Sequence, residues 1–225
     1  MHEPLTETLS QIVMLHKFAL IAALVFTAAT SFAHSVWIEP DGDGQLVVRF
    51  AEPGDDFETS PGYLDNLSTP LAFVVASNAP QSIETLKRSD YFLLSTASST
   101  NTTCLETSFT VRGGRKPIFY ARWQSLVESA PSPFLTLDLV PIGKPGEVRA
   151  YFRGKPLANI KATLHIPDNG EAELTSDADG FLRFEANQKG QYLLTISHHR
   201  EPLAGFHGGI GYKETSHNCS LAWQQ

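Results

Sequence analysis

Apolar and polar residues alternate with a period of two along most of the chain. The pattern is clearest over residues 46–50, 105–111, 118–122 and 135–139, and glycine, proline, asparagine and aspartate separate such segments at short intervals. Alternation of this kind is typical of half-buried strands. Only residues 82–88 match a single helical turn. The pattern therefore predicts an all-β protein.

A proline- and glycine-rich segment, residues 140–146, separates two strand-rich blocks. Short strands with frequent turns are typical of β-sandwiches. We therefore predict two antiparallel β-sandwich domains, residues 34–142 and 143–225, the second of them immunoglobulin-like. Two Asp-x-Asp-Gly segments, residues 41–44 and 177–180, lack the closing glutamate of a calcium-binding loop and are interpreted as hairpin turns.

Residues 1–33 have the composition of a secretory signal peptide. Residues 18–29 are almost wholly apolar, follow a lysine and precede small residues. The run is too short to span a bilayer. Met14 would give this leader a more ordinary start than the first methionine. Cleavage after Ala33 would release a soluble, exported protein whose first residue is His34.

The formal net charge is −7. An acidic chain is a poor match for nucleic acid or an anionic membrane surface, because both require clustered basic residues. No other segment is apolar enough to insert into a membrane after cleavage. Motifs of zinc proteases, serine hydrolases, phosphate-binding loops and dinucleotide-binding folds are absent from the sequence. We therefore predict no catalytic activity.

Histidines are the candidate metal ligands, and four of the six in the predicted mature chain lie within the last 28 residues. An N-terminal histidine is a special case, because its α-amine and its imidazole can bind one ion together. Imidazole suits nickel, cobalt, copper and zinc better than calcium or magnesium. His165 alternates with apolar neighbours and is expected at the surface. The predicted metal ligands are His34, His198, His199, His207 and His217.

Three further features bear on this site. Trp37 is expected to dock the mature N-terminal strand on the core, and Glu39 could accept a hydrogen bond that orients an imidazole. An acidic cluster could attract a cation or could simply be a solvated loop; its members are Glu52, Asp55, Asp56 and Glu58.

Only two cysteines are present, Cys104 and Cys219. In an oxidising compartment they would most simply form one disulfide. A second reading makes Cys219 a metal ligand beside His217, since residues two apart share one face of a strand. A third leaves both as unlinked thiols.

Three segments carry a resemblance to a known family: AHSVWIEP at the mature start, and GKPLANIKATLHIPDNG and ELTSDADGFLRFEANQKGQYLLTISH in the second half. They resemble a large bacterial family of unknown function that is labelled as a periplasmic component of cobalt or nickel transport. Its members begin with a histidine near an aromatic residue and a proline, and end with a carboxypeptidase regulatory-like domain. The resemblance covers nearly the whole mature chain and implies metal handling in the periplasm.

Three functions follow as hypotheses. The favoured one is a periplasmic protein that binds nickel, cobalt or copper through His34 and C-terminal histidines, for delivery to a transporter or an outer-membrane receptor. The second is a copper-dependent oxidative enzyme with a histidine brace. The third is an interaction or adhesion module without metal. Redox activity with copper would separate the second from the first, and absence of metal affinity would leave the third.

Overall fold

The structure is a computed structural model that describes residues 34–75, 79–126 and 132–225, so the predicted signal peptide lies outside the described residues. Two 3₁₀ turns, Tyr63–Asn66 and Pro167–Asn169, interrupt a chain of strands. The described ranges contain no α-helix, which confirms the all-β prediction. The helical turn predicted over residues 82–88 is wrong, because that segment contributes to two short strands, β4 and β5.

The strands are β1 Ser35–Pro40, β2 Gln45–Ala51, β3 Leu71–Val75, β4 Pro80–Ile83, β5 Thr85–Lys87, β6 Phe92–Ser98, β7 Thr103–Ser108, β8 Arg115–Trp123, β9 Leu137–Pro141, β10 Glu147–Phe152, β11 Lys155–Pro156, β12 Lys161–Ile166, β13 Gly170–Thr175, β14 Phe181–Arg183, β15 Gln191–Glu201, β16 Gly205–His207, β17 Ile210–Tyr212 and β18 Glu214–Gln224.

An eight-stranded sheet forms the middle of the described protein, in the order β13-β12-β15-β18-β8-β7-β3-β4. A four-stranded sheet, β1-β2-β6-β5, is built from the first half of the chain. A third sheet contains β9, β10, β11 and β14, and β16 pairs with β17 in a separate hairpin. Neighbouring strands are antiparallel except for β8 and β18, which run parallel.

Alternation along the middle strands separates two hydrophobic cores. On β8, Phe119 and Ala121 belong to the first core with residues of β1, β2 and β6, whereas Tyr120 belongs to the second core with residues of β9, β10 and β14. On β18, Ala222 faces the first core and Leu221 the second. Side chains of a strand alternate between faces, so the eight-stranded sheet has one core on each side and is shared by both sandwiches.

The predicted boundary at residues 142/143 separates strands that belong to the same middle sheet: strands from both sides of the boundary are paired in it. The last strand, β18, lies between β15 of the second block and β8 of the first, and its parallel register joins Glu214 to Arg115 and Ala222 to Trp123. The division into two domains at this boundary stays a prediction.

A buried ion pair links the middle sheet to the sheet that covers the second core. Arg122 on β8 donates from Nε to Asp138 Oδ1 at 2.9 Å and from Nη2 to Oδ2 at 2.6 Å. The backbone N–H groups of Phe134 and Leu135 also donate to Oδ2, and Gln124 accepts from Nη1. Both charged side chains are at most 1% exposed. All these donors and acceptors satisfy charges that would otherwise destabilise the interior.

The prediction of hairpin turns is confirmed for the Asp-x-Asp-Gly segment 41–44, which joins the paired strands β1 and β2. It is wrong for segment 177–180, a tight turn that leads from β13 in the middle sheet to β14 in the third sheet. Asp41 Oδ1 accepts from the backbone N–H groups of Asp43 and Gln45, each at 2.9 Å. Asp177 Oδ1 makes the equivalent bonds to Asp179 and Phe181. An aspartate that bonds to the backbone ahead of it stabilises a turn by itself.

The predicted disulfide is wrong, because Cys104 and Cys219 are both free and buried. Cys104 on β7 pairs with Arg122, and Cys219 on β18 pairs with Tyr120, so β8 lies between the two cysteines. Strands separated by one other strand lie about 9–10 Å apart, which exceeds the reach of a disulfide. Burial raises the pKa of the Cys104 thiol to about 12 and that of Cys219 well above its usual value.

Candidate metal centre

His34 lies immediately before β1, at the edge of the first core. Its ring centroid is 5.1 Å from that of Phe50 on β2 and 5.0 Å from that of Tyr63 in the first 3₁₀ turn. Those two aromatic rings stack on each other. The His34 side chain is 28% exposed. The imidazole is therefore held by two separate elements and is still open to solvent.

Two carboxylates face the two ring nitrogens of His34. Glu58 Oε1 is 2.6 Å from Nε2, and Glu52 Oε1 is 3.8 Å from Nδ1. Both carboxylates are themselves less than one-third exposed. Each nitrogen of one imidazole therefore has its own acidic neighbour.

The loop between β2 and the first 3₁₀ turn brings these carboxylates to His34. The N–H of Asp55 donates to the carbonyl of Glu52, and Gly54 between them has a φ of 95°. Glycine adopts positive φ at little cost, which allows the tight turn. The N–H of Glu58 then donates to the carbonyl of Phe50 and folds the loop back beside the end of β2.

An acidic pocket of about 380 Å³ opens at this point; its lining residues are His34, Glu52, Asp55, Asp56 and Glu58. A concave site whose charged groups share one sign concentrates ions of the opposite sign. The acidic cluster noted in the sequence is therefore the wall of a pocket that also contains the predicted N-terminal histidine.

The hydrogen bond to Glu58 selects the histidine tautomer that suits a metal. A carboxylate accepts only, so the proton of a neutral His34 ring belongs on Nε2. Nδ1 then has its lone pair free and points towards Glu52. In a chain that begins at His34, the α-amine can bind the same ion as Nδ1 through a six-membered chelate ring.

The C-terminal histidines form a different cluster, on β15 and β18. His199 pairs with His217 across the two strands, and their ring centroids are 6.4 Å apart. The Phe152 ring contacts both imidazoles edge-on. His217 is 3% exposed; its Nδ1 is 3.1 Å from the Tyr120 hydroxyl, and its Nε2 is 3.4 Å from Glu201 Oε2 without a hydrogen bond.

His34 and His217 lie on opposite sides of the middle sheet. His217 shares its strand face with Cys219 and Leu221, which pack in the second core. His34 packs on Phe50 of the first core. The structure therefore does not bring the N-terminal histidine together with this C-terminal pair.

His198 and His207 belong neither to the His34 pocket nor to the pair of His199 and His217. His198 occupies a bulge in the β15–β18 pairing with a φ of 59°, and its Nδ1 is 3.3 Å from Ser216 Oγ. Its imidazole therefore contacts Ser216, whereas that of His199 contacts Phe152 and lies beside His217. His207 is in the β16–β17 hairpin opposite Ile210.

The imidazoles of the C-terminal cluster favour their neutral forms. Burial lowers the pKa of His217, and the Glu201 carboxylate and His199 only modify that shift. Burial also lowers the pKa of His199 and of His198. Neutral imidazole is the metal-binding form, but it is also the form that a buried histidine takes for packing alone.

Within residues 34–75, 79–126 and 132–225, no three His, Cys, Asp or Glu side chains converge closely enough to hold a metal ion as they stand. An α-amine is not a side chain, so His34 with a free terminus and one carboxylate would supply three donors. The sequence did not reveal that Phe50 and Tyr63 fix the imidazole, because these residues are brought together only by the folded loop.

Glu39 does not orient an imidazole. Its carboxylate accepts from Trp37 Nε1 at 2.6 Å, from Arg49 Nε at 3.0 Å and from Gln191 Nε2 at 3.1 Å. Trp37 is 5% exposed and packs in the first core, as predicted. Ser35, Trp37 and Glu39 share one side of β1, and His34 precedes the strand on the other side.

Comparisons with known proteins do not assign this chain to a family. No family model matches the chain, and no curated protein matches it. Among solved structures, the crystal structure of chicken CNTN1 FN1-FN3 domains is similar at 10% identity with a TM-score of 0.22. That match covers 85% of this chain and 66% of the chicken chain, slightly less than two thirds of its length. In the described part of this chain, no helix is long and apolar enough to cross a membrane.

Proposed function

We propose that the mature protein is an exported binding protein for a divalent transition metal, nickel, cobalt or copper, which it holds at His34. One observation carries the proposal: the imidazole of the predicted first residue lies in an acidic pocket with a carboxylate at each ring nitrogen. Export, a periplasmic location and delivery to a transporter or an outer-membrane receptor belong to the same proposal and rest on the leader sequence and the family resemblance.

The ligand set is the α-amine and Nδ1 of His34 with Glu52. Ligands of one tetrahedral ion at about 2 Å lie roughly 3.3 Å from each other. The Glu52 oxygen is 3.8 Å from Nδ1, so a small side-chain rotation brings it into position. Solvent would complete the coordination, which suits an ion that must later be released.

Glu58 has a positioning role. A metal-bound histidine usually donates its other ring N–H to a carboxylate, which fixes the ring and makes it a better ligand. The 2.6 Å contact between Glu58 and Nε2 is of this kind. Phe50 and Tyr63 restrict the ring further, so the site loses little freedom when the ion binds.

The oxidative alternative has less support. A histidine brace needs a second imidazole beside the N-terminal one, whereas the described groups at His34 Nε2 and Nδ1 are Glu58 and Glu52. Mixed nitrogen and carboxylate donors suit binding and transfer of a divalent ion. Metal binding by His198, His199, His207 or His217 stays a prediction separate from this centre.

The proposal is tested by calorimetric titration of nickel, cobalt, copper and zinc into protein that begins at His34. We expect one tight site per chain, which His34→Ala removes. The matched control is His165→Ala on β12, a histidine that is not among the predicted metal ligands, which should leave that site unchanged. Equal loss in both variants, or no loss in either, would refute a centre at His34.

The two glutamates should respond differently to substitution. Glu52→Gln removes a charged ligand and should weaken binding about 100-fold and change the visible spectrum of bound cobalt. Glu58→Gln keeps an acceptor for Nε2–H, so we expect a loss of about tenfold with the spectrum retained. Asp43→Asn, in the exposed β1–β2 turn, controls for net charge. A spectral change in Glu58→Gln but not in Glu52→Gln would reverse the two roles.

A further inference from the structure

The β16–β17 hairpin carries most of the exposed large apolar side chains of the described protein. Its two strands pair with each other and with no other described strand. Among the described residues, five large apolar side chains are exposed, and three of them lie in or beside this hairpin: Leu203, Phe206 and Ile210. Phe206 is 82% exposed. Residues 202–212 contain no aspartate, glutamate, lysine or arginine. The hairpin therefore exposes an uncharged, apolar segment to solvent.

Both faces of this hairpin are apolar. Its strands are joined by Gly208 and Gly209, whose φ values of 55° and 78° fit a two-residue hairpin turn. Phe206 pairs with a glycine of β17, whereas Ile210 and Tyr212 are the other two residues of β17. Because side chains alternate along a strand and paired residues share a face, Phe206 points to one side and Ile210 and Tyr212 to the other. A flat protein surface would cover only one of these faces, whereas a lipid layer would surround both.

Basic residues lie at the base of the same hairpin. Arg200 precedes it and Lys213 follows it in the chain. The backbone N–H of Lys213 donates to the carbonyl of Gly114 at 2.8 Å, which places the lysine beside the turn before β8. Arg112 and Arg115, on either side of that turn, exchange two backbone hydrogen bonds. The fold therefore brings four basic residues from two parts of the chain to one end of the middle sheet.

The carboxylates at this end do not balance the basic residues. Glu214 Oε1 is 2.7 Å from Arg115 Nε and 3.7 Å from Arg200 Nε, so one carboxylate is shared by two guanidinium groups. Glu201 Oε2 is 2.7 Å from Nη2 of a further arginine, Arg153. The other two basic residues at the hairpin base form no ion pair with any described residue. This end therefore has an excess of positive charge, although the net charge of the whole chain is −7.

We propose that the β16–β17 hairpin binds to the surface of an anionic phospholipid membrane. Phe206 and Ile210 enter the boundary between headgroups and acyl chains without crossing the bilayer, and the basic residues at the hairpin base attract the anionic headgroups. The expectation that such a membrane is a poor partner rests on the charge of the whole chain, whereas the fold collects basic residues at one end. The interaction does not depend on metal binding at His34.

The first test is flotation of the mature protein with vesicles of phosphatidylglycerol and phosphatidylethanolamine, compared with vesicles of phosphatidylcholine alone. We expect binding to the anionic vesicles that is at least about tenfold tighter. It should weaken strongly when salt rises from about 0.1 M to about 1 M, because the screening length falls from about 10 Å to about 3 Å. Equal binding to both kinds of vesicle, or no binding to the anionic ones, would overturn the proposal.

Two pairs of variants locate the contact. Phe206→Ser should weaken binding to the anionic vesicles at least about tenfold, whereas Leu71→Ser, at a leucine on β3 that is 67% exposed, should have no effect. Lys213→Gln should weaken binding about fivefold. Lys189→Gln makes the same change in charge at an exposed lysine near the opposite end of β15 and should have no effect. Equal losses within either pair would overturn the assignment to the hairpin.

Insertion is distinguished from attraction to the membrane surface by Phe206→Trp. The three native tryptophans are at most 5% exposed, so they provide a constant background; they are Trp37, Trp123 and Trp223. We expect the emission of the introduced indole to shift to shorter wavelength with anionic vesicles and to be quenched by brominated acyl chains. No shift would overturn insertion. A dimer in sedimentation experiments without lipid, lost in Phe206→Ser, would make a second copy the partner and also overturn the proposal.

Discussion

Replacement of Asp138 by alanine is expected to lower the free energy of unfolding by about 3–5 kcal/mol. The change leaves the Arg122 guanidinium, which is about 1% exposed, without its carboxylate. It also removes the acceptor of the Phe134 and Leu135 backbone N–H groups. An uncompensated charge in the interior is one of the few causes of such a large loss. Urea denaturation followed by circular dichroism measures it.

A more exposed ion pair, between β8 and β18, provides the matched control. Arg115 Nε is 2.7 Å from Glu214 Oε1, and both side chains are 34% exposed. Glu214→Ala should therefore lower stability by less than about 1 kcal/mol. The double variant Arg122→Met with Asp138→Leu should recover only the part of the loss that comes from the uncompensated charge, since the Phe134 and Leu135 N–H groups still lack their acceptor. If Asp138→Ala costs no more than Glu214→Ala, the buried pair is not what connects the two layers.

The strands could be predicted from the sequence, but their arrangement could not. Local alternation identifies β2, β7, β8 and β9, although β7 and β8 have a core on each side. The parallel pairing of β18 with β8 joins Glu214 to Arg115, almost 100 residues apart in the chain. No pattern of neighbouring residues indicates that pairing. The pairing is what makes both sandwiches share a single sheet.

The residues of the candidate site could be predicted from the sequence, but their arrangement could not. His34 and the acidic cluster were each recognised, but their meeting depends on the turn at Gly54 and on Phe50 and Tyr63. The sequence analysis predicted a shared metal site of His34 with C-terminal histidines such as His217. Alternation along β18 instead directs His217 to the second core, because residues of odd number on that strand face away from the first.

The cysteines were mispredicted for a similar reason. Two cysteines in an exported chain favour a disulfide on composition alone. The sheet order excludes a disulfide, because β8 lies between the strand of Cys104 and the strand of Cys219. Likewise, the burial of Arg122 could not be predicted from the sequence, because its partner Asp138 lies on another strand.

Blocking the α-amine of His34 is expected to have the largest effect on function. A second donor tethered to the first raises affinity by about 10²–10⁴, so loss of the amine should weaken metal binding at least about 100-fold. The comparison chain begins at Thr30 and keeps four native residues before His34. A shorter extension would itself offer copper or nickel an N-terminal chelate, and so would be a poor control.

The decisive measurement is competition of nickel and copper against a chromophoric chelator, in protein that begins at His34 and in protein that begins at Thr30. Equal thermal unfolding midpoints would show that both chains fold alike. Tight binding by the first chain, weakened about 100-fold or more in the second, is the expected result. Equal affinities in the two chains, or no binding by the chain that begins at His34, would show that the N-terminal amine does not hold the metal.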